Sequence, residues 1–160
     1  MLLLDASIKV IDGYIPYGTG NEYGLIYKQM EKKLNLYSKI DNLREVERVI
    51  DEISAEFDIG TEIYGNVLIA SLEAVNNAIS HGNKLDPSKK VDVTFRIGDK
   101  KMTVITRDEG PGFDFENVPD PTSPENIENV NGRGIFLMKQ LSDEITFHDN
   151  GRVSEMVFNL

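Results

Sequence analysis

The sequence contains no cysteine and only two histidines, His81 and His148, among its 160 residues. Without thiols, disulfide bonds and thiolate metal sites are excluded, and a cytoplasmic location is the simplest expectation. Two histidines are also too few for a metal site built from imidazoles alone. His81 is most simply a helix-ending residue beside the helix dipole, and a phosphoacceptor role is the alternative.

Basic residues are scarce, because 17 Lys and Arg stand against 27 Asp and Glu, for a formal net charge of -10. This excess argues against nucleic acids or anionic membranes as direct partners. The opening Met1–Leu4 run is interrupted by Asp5 and is far shorter than the roughly 18 apolar residues that a membrane span needs. A P-loop string of Gly-x-x-x-x-Gly-Lys-Ser/Thr is absent as well, so a P-loop nucleotidase is disfavoured.

The length fits one domain with a sizeable core. Residues 1–30 are rich in glycine and tyrosine and have no sustained period, so we expect a peripheral N-terminal segment that could be flexible, followed by one domain over 31–160. A proline-rich stretch over 111–130 should be a loop, functional or disordered.

Within the domain, alternation of apolar and polar residues predicts strands, and apolar residues at helical spacing predict helices. Strands are expected over 33–38, 91–97, 102–107, 144–148 and 153–160. Helices are expected from a cap at Asp41 or Asn42 to an end near Gly60, then over 61–81 and 134–141, the second with Leu68, Leu72, Val75 and Ile79 facing the core. This order predicts an α+β fold, a two-layer sandwich with a mixed, mostly antiparallel sheet and helices on one face.

Glu73 and Asn77 are four residues apart on the second predicted helix, so their side chains project from one face into the same small volume. Magnesium takes oxygen ligands from few protein groups and from phosphates, and one Asn oxygen would suffice. Glu73 would then be available to accept a proton from an attacking hydroxyl or water. The same spacing is common on a solvated helix face, which is the alternative.

Asp108 follows a predicted strand and precedes Gly110 and Gly112, which let the backbone approach a flat ligand closely. A buried carboxylate here could accept a hydrogen bond from the amine of adenine and would disfavour guanine, which presents a carbonyl oxygen. An ordinary turn around Pro111 is the alternative for this segment.

Gly132, Arg133 and Gly134 precede or open a predicted helix, whose free N–H groups attract phosphate. Arg133 could add positive charge. A plain junction between a loop and a helix is the alternative.

In this order, the segments 73–78, 108–113 and 132–138 resemble the N-box, adenine box and second glycine box of the ATP-binding domain shared by gyrase subunits and sensor histidine kinases. Residues 119–127 are similar to its short ATP lid. The likeness runs from about Lys32 to Leu160 and is closest to the anti-sigma factor serine kinases. It implies a Bergerat-type ATP-binding fold.

The resemblance implies ATP and Mg²⁺ as cofactors, with Glu73 as the base for phosphoryl transfer, Asn77 as the magnesium ligand and Asp108 as the adenine-binding residue. Arg133 would lie at the lid, near phosphate or a partner. The further nucleotide-binding residues would be Gly110, Gly112, Phe113, Gly132, Gly134, Ile135 and Phe136.

The implied activity is that of a protein serine/threonine kinase which binds a sigma factor and phosphorylates a small antagonist protein, commonly as a homodimer. A sensor histidine kinase is disfavoured because the chain has no preceding pair of long heptad helices. Two further alternatives are a non-catalytic module that binds a partner in an ATP-dependent way, and an ATPase that uses water as the acceptor.

Overall fold

The computed structural model describes residues 30–116 and 132–160. Most of the predicted peripheral segment, 1–29, and most of the predicted loop with its lid, 117–131, lie outside the described residues. The elements are β1 (Met30–Tyr37), α1 (Leu43–Phe57), α2 (Thr61–Asn77), β2 (Lys90–Gly98), β3 (Lys101–Arg107), α3 (Arg133–Leu141), β4 (Glu144–His148) and β5 (Val153–Asn159).

The strands form a single sheet in the order β1-β2-β3-β5-β4. Each neighbouring pair among the described strands is antiparallel. Inward side chains of the sheet and apolar side chains of the helices form one hydrophobic core, so the helices cover one face of the sheet. The α+β prediction is therefore confirmed.

Buried and more exposed side chains alternate strictly along the strands, which gives the sheet one face towards the core and one towards solvent. In β2, Val91, Val93 and Phe95 are fully buried while the residues between them point outward. The inward row of edge strand β1 includes Lys32, whose Nζ lies 3.1 Å from Glu52 Oε2 on α1. An inward charge on an edge strand discourages pairing with another chain, because a second strand would have to desolvate it.

The helix α1 begins and ends close to the predicted positions, but its ends are closed by other groups than a side-chain cap and a glycine. Asn42 lies at the N-cap position, but its Nδ2 donates to the carbonyl of Tyr37 at 2.7 Å and does not cap the helix. At the other end Asp58 adopts the left-handed conformation (φ 51°) and terminates α1, and Gly60 follows this end within the predicted region. Gly60 also begins α2, because its carbonyl accepts a 2.9 Å hydrogen bond from Tyr64 N.

The second helix is regular to Asn77 and then widens into a π-helical turn, Ala78–Gly82, within the predicted span. Val75 and Ile79 are fully buried as predicted, whereas Leu68 and Leu72 are only partly buried. The other residues of α2 that are buried are Val67, Ala70, Ser71 and Ala74. Small side chains therefore make much of the contact with the core, and such side chains allow a helix axis to lie close to its packing partner.

Two tight turns close the hairpins. Asp99 and Lys100 both have positive φ between β2 and β3, as a two-residue hairpin turn requires. Between β4 and β5, Asp149, Asn150 and Gly151 have positive φ, and the connection spans the four residues 149–152, two more than the predicted Asn150-Gly151 turn. None of the helices in the described parts of the chain is long and apolar enough to cross a bilayer.

Candidate functional site

A cavity of about 620 Å³ lies between α2, α3 and the adjoining ends of β3 and β5. Its volume is within the range of small-molecule sites. The predicted site residues that line it are Glu73, Asn77, Asp108, Gly112, Phe113, Gly132, Arg133, Gly134 and Ile135. The three separated segments therefore meet at one cavity, and of the predicted site residues Gly110 and Phe136 do not line it.

One end of the cavity is the contact between α2 and the first turn of α3. A β-carbon at Gly134 would lie 2.7 Å from Glu73 Oε2 and 2.9 Å from Asn77 Nδ2. The two side chains therefore occupy the space that any larger residue at this position would need. Asn77 Nδ2 also donates to Met138 Sδ at 3.7 Å, which fixes the orientation of the amide group and with it the direction of the amide oxygen. A carboxylate and a carboxamide are thus held together against the start of a helix.

The start of α3 depends on its two glycines for different reasons. Gly132 lies at the N-cap position with φ 94°, a conformation that L side chains rarely adopt. Gly134 is required by the close approach of α2. The Gly132 carbonyl accepts the first helical hydrogen bond from Phe136 N at 2.9 Å, so Phe136 contributes to the helix itself. The remaining N–H groups of this first turn can bind an anion.

Asp108 stands at the other end of the cavity, just beyond β3. Its backbone N donates to the Arg152 carbonyl at 3.0 Å, which extends the pairing with β5. Its Oδ1 accepts a 2.7 Å hydrogen bond from Gly110 N. Burial raises the pKa of the Asp108 carboxyl, and the Gly110 N–H and the charge of Arg152 oppose the increase. The carboxylate is therefore fixed in direction and partly withdrawn from water.

Two glycines make room for this carboxylate. A β-carbon at Gly82 would lie 2.6 Å from Asp108 Oδ2, and one at Gly110 would lie 2.9 Å from Asp108 Oδ1. The Gly110 position is further closed by the carbonyl of Gly82. Gly110 consequently supports Asp108 from behind, which explains why it is near the site without lining the cavity.

Aromatic side chains border the cavity near the β4–β5 turn. The rings of Phe113 and Phe147 meet edge to face at 5.7 Å, and Phe115 stacks on Phe147 at 5.2 Å. Gly112 has φ 84° and packs against the backbone of Asn150, to whose carbonyl Phe113 N donates at 2.8 Å. The Gly112 turn therefore places an aromatic ring, 41% exposed, at the cavity wall.

Several lining residues had no role in the sequence prediction: Asn76, Thr106, Phe147, Gly151, Arg152 and Ser154. Thr106 and Ser154 face each other across β3 and β5 and are 2% and 8% exposed. The sequence did indicate that Thr106 faces the core, because it follows Met102 and Val104 at alternate positions of β3 and so occupies the same face. His81 lies in the π-helical turn and also lines the cavity.

The oxygen donors fit a magnesium ion that is bound mainly through phosphates. Within 30–116 and 132–160, no three His, Asp or Glu side chains converge on a common metal position. The Asn77 amide lies beside the Glu73 carboxylate, and Mg²⁺ usually takes one or two protein oxygens and completes its shell with phosphate and water.

Known proteins resemble this chain over most of the described domain. Residues 36–158 match the histidine kinase-like ATPase domain. Serine-protein kinase RsbW of Bacillus subtilis is 30% identical over 92 residues, which cover 54% of this chain and 58% of that protein. The protein of the same name from Staphylococcus epidermidis is 32% identical over 93 residues, with the same coverage.

A longer match is to anti-sigma F factor of Shouchella clausii, which is 31% identical over 121 residues. It covers 72% of this chain and 82% of that protein. The chain therefore spans somewhat more than half of the two kinases and most of the anti-sigma factor.

Proposed function

Because this chain belongs to the histidine kinase-like ATPase domain family, and to the anti-sigma factor kinases within it, we propose that it is an ATP-dependent protein serine/threonine kinase that acts as an anti-sigma factor. The observation that carries the proposal is the arrangement at the cavity. Glu73 and Asn77 lie against the start of α3, and the half-buried Asp108 lines the same cavity just after the end of β3.

ATP would bind with its adenine at Asp108 and its phosphates at the start of α3. The carboxylate of Asp108 can accept a hydrogen bond from the adenine amine. The free N–H groups of the first turn of α3 suit phosphate, as does the positive charge of Arg133 at its first position. Local attraction of this kind is needed because the chain as a whole carries a net charge of -10.

The reaction we propose is transfer of the γ-phosphoryl group to a serine or threonine hydroxyl. The acceptor oxygen forms a bond to the γ-phosphorus, and the bond from that phosphorus to the β,γ-bridging oxygen breaks, which releases ADP. The hydroxyl proton passes to the carboxylate of Glu73, acting as general base. Gly134 lets this carboxylate lie against the helix that would hold the phosphates.

Asn77 would hold Mg²⁺ through its side-chain oxygen, and the bound ion would supply positive charge that neutralises the phosphates. The contact from Asn77 Nδ2 to Met138 Sδ at 3.7 Å leaves the opposite oxygen of the amide for this role. Met138 itself is buried, so the orientation of the amide is tied to the packing of α3.

The partners we propose are a sigma factor and a small antagonist protein that carries the phosphoacceptor, with the chain as a homodimer. The names of the relatives support this choice, since one is an anti-sigma factor and two are serine-protein kinases. A sigma factor as partner would place the chain in the cytoplasm.

The test is incubation with γ-labelled ATP, Mg²⁺ and each small antagonist protein of the source organism, followed by mapping of phosphoserine and phosphothreonine. We expect label on one antagonist with the wild-type chain and none with Glu73→Gln. Release of inorganic phosphate without a labelled protein would favour an ATPase. ATP-dependent binding of a partner without either product would favour a non-catalytic regulator.

A further inference from the structure

Two pairs of residues face each other where α2 packs on α3, and the members of each pair are one helical turn apart. Glu73 and Asn77 lie on α2, and Gly134 and Met138 lie on α3. A β-carbon at Gly134 would lie 2.9 Å from Asn77 Nδ2 and 3.1 Å from Asn77 Oδ1. The sulfur of Met138 lies 3.7 Å from Asn77 Nδ2. The Asn77 amide is therefore close to α3 at two successive turns.

Met138 is at once a core residue and a residue of the cavity wall. Its side chain is 2% exposed and belongs to the hydrophobic core, and it also lines the cavity. It is the one buried residue of α3. The side chain that holds α3 on the domain is therefore the same one that contacts the amide of Asn77, the residue to which we assign Mg²⁺.

The sulfur of Met138 distinguishes the two orientations of the Asn77 amide. A thioether sulfur is a weak acceptor and has no proton to donate, so it favours the amide nitrogen over the amide oxygen as its neighbour. We expect a preference of about twofold to fivefold, the low end of what one hydrogen bond contributes. Within the described parts of the chain this is the one hydrogen bond of the amide, so Oδ1 is left for a cation.

We propose that Met138 is a positioning residue that couples Mg²⁺ binding at Asn77 to the docking of α3 on α2. While α3 is docked, the sulfur holds the amide nitrogen and leaves the oxygen for the ion. When α3 is displaced, both orientations of the amide become accessible, and the affinity for the ion falls. Coupling between two equilibria is reciprocal, so bound Mg²⁺ in turn favours the docked helix. The inference rests on the proposed ATP and Mg²⁺ site and adds a linkage to it.

The central variant is Met138→Leu, which keeps a large apolar side chain in α3 and removes the sulfur acceptor. Its affinity for ATP in the presence of Mg²⁺ should fall about twofold to fivefold, because the amide loses its preferred orientation. Its affinity in EDTA should equal that of the wild type. Met102→Leu makes the same exchange at a fully buried position of β3 outside the described cavity wall and should change neither affinity. Isothermal titration calorimetry of the full chain measures both affinities.

Asn77→Ala reveals whether Met138 acts through Asn77. In that background Met138→Leu should cause no further loss of affinity with Mg²⁺, because there is no amide to orient. The Asn77 amide also gives a readout in the free protein, since its side-chain N–H signals in the NMR spectrum are identified by their absence in Asn77→Ala. These signals should shift in Met138→Leu and stay in place in Met102→Leu. If Met138→Leu does not fold, Met138→Ile replaces it in every arm.

Hydrogen exchange of the α3 backbone tests the reciprocal effect. Addition of Mg²⁺ to the ATP-bound wild type should slow exchange in α3, and this effect should shrink in Met138→Leu. An effect of equal size in both proteins overturns the inference and leaves the proposed kinase function standing. So does a loss of affinity in Met138→Leu that is the same in Mg²⁺ and in EDTA, or the same with and without Asn77. Failure of the wild type to bind ATP overturns both proposals, whereas binding without protein phosphorylation overturns only the kinase function.

Discussion

The side-chain oxygen of Asn83 accepts a 2.8 Å hydrogen bond from the backbone N–H of Glu109, the residue that follows Asp108. The amide nitrogen of Asn83 donates to the Lys90 carbonyl at 2.8 Å and to Ser38 Oγ at 2.7 Å. Asn83 is fully buried, so one amide joins the end of β1, the start of β2 and the turn after β3. The direction of Asp108 is therefore set from behind the cavity.

Asn83→Ala should lower the free energy of unfolding by about 2–4 kcal/mol, because several buried polar groups lose their partner at once. ATP affinity should fall as well, since the Asp108 turn loses its support. Urea denaturation measures the first effect and calorimetric titration the second. Asn35→Ala is the control, as Asn35 bonds Asp92 at an exposed position and its loss should cost less than about 0.5 kcal/mol. Equal stability of the two variants would contradict the role given to Asn83.

Glu73→Gln should bind ATP with nearly unchanged affinity and lose phosphoryl transfer by about a hundredfold or more, because an amide cannot accept the hydroxyl proton as a carboxylate does. Single-turnover transfer to the antagonist measures the loss. Glu62→Gln removes the same charge from the exposed first turn of α2 and should transfer phosphate normally. A Glu73→Gln variant with wild-type transfer would eliminate the general-base assignment.

Asn77→Ala should weaken binding of ATP at least about tenfold when Mg²⁺ is present, because a ligand to the ion is lost. In EDTA the affinities of the variant and the wild type should converge. Ser80→Ala provides the comparison, since Ser80 lies outside the described cavity wall and bonds Asn76 Oδ1 at 3.3 Å. A loss of the same size in EDTA would indicate that Asn77 acts on the nucleotide without the metal.

Gly134→Ala should destabilise the protein and abolish transfer, because the new methyl group would collide with Glu73 Oε2 and Asn77 Nδ2. Gly65→Ala is its counterpart in the interior of α2, where a β-carbon meets nothing within 4 Å. That substitution should stabilise the protein by about 0.5–1 kcal/mol through helix propensity. Thermal unfolding and a transfer assay on both variants give the comparison. The same sign of change in both would show that space at the α2–α3 contact is not limiting.

Asp108→Asn should raise the melting temperature of the free protein at pH 7. Burial raises the folded-state pKa of Asp108, so the native state binds the proton more tightly than the unfolded chain does. The charged form therefore destabilises the native state at pH values above the raised pKa, and the penalty vanishes below the ordinary aspartate pKa of about 3.8. The advantage of Asp108→Asn should shrink as the pH falls through this window. A constant advantage between pH 7 and pH 3.5 would refute the assignment to this carboxyl.

The strands were predictable because alternation is a local property. Val91, Val93 and Phe95 follow a period of two, and that period alone places them in the core. The inward set of α2 was predictable only in part, since this helix contacts α1 and the sheet on one side and α3 on another. Leu68 and Leu72 are partly buried as a result, while Ala70 and Ala74 take the closest positions.

The ends of the cavity could be predicted from motifs, but its supporting residues could not. Asn83 is polar, and nothing next to it in the chain indicates that it is buried. Its burial results from contacts with distant segments, as the bond from Asn83 to Ser38 illustrates. The carboxylate of Asp108 was predictable. The hydrogen bond from Glu109 N to Asn83, which fixes its direction, was not, because it forms only when the end of β1, the start of β2 and the turn after β3 are packed together.

Met138 is the one residue of α3 that is buried, whereas α1 buries four residues and α2 buries five. Of its other apolar residues, Leu141 packs against the core only partly buried, and a helix with so little buried apolar surface can detach by local unfolding at lower cost than the rest of the domain. The cavity is thus bounded on one side by a firmly anchored helix and on the other by the most weakly anchored one. Release of a spent nucleotide would then need only the departure of α3, with the sheet and α2 keeping their folded arrangement.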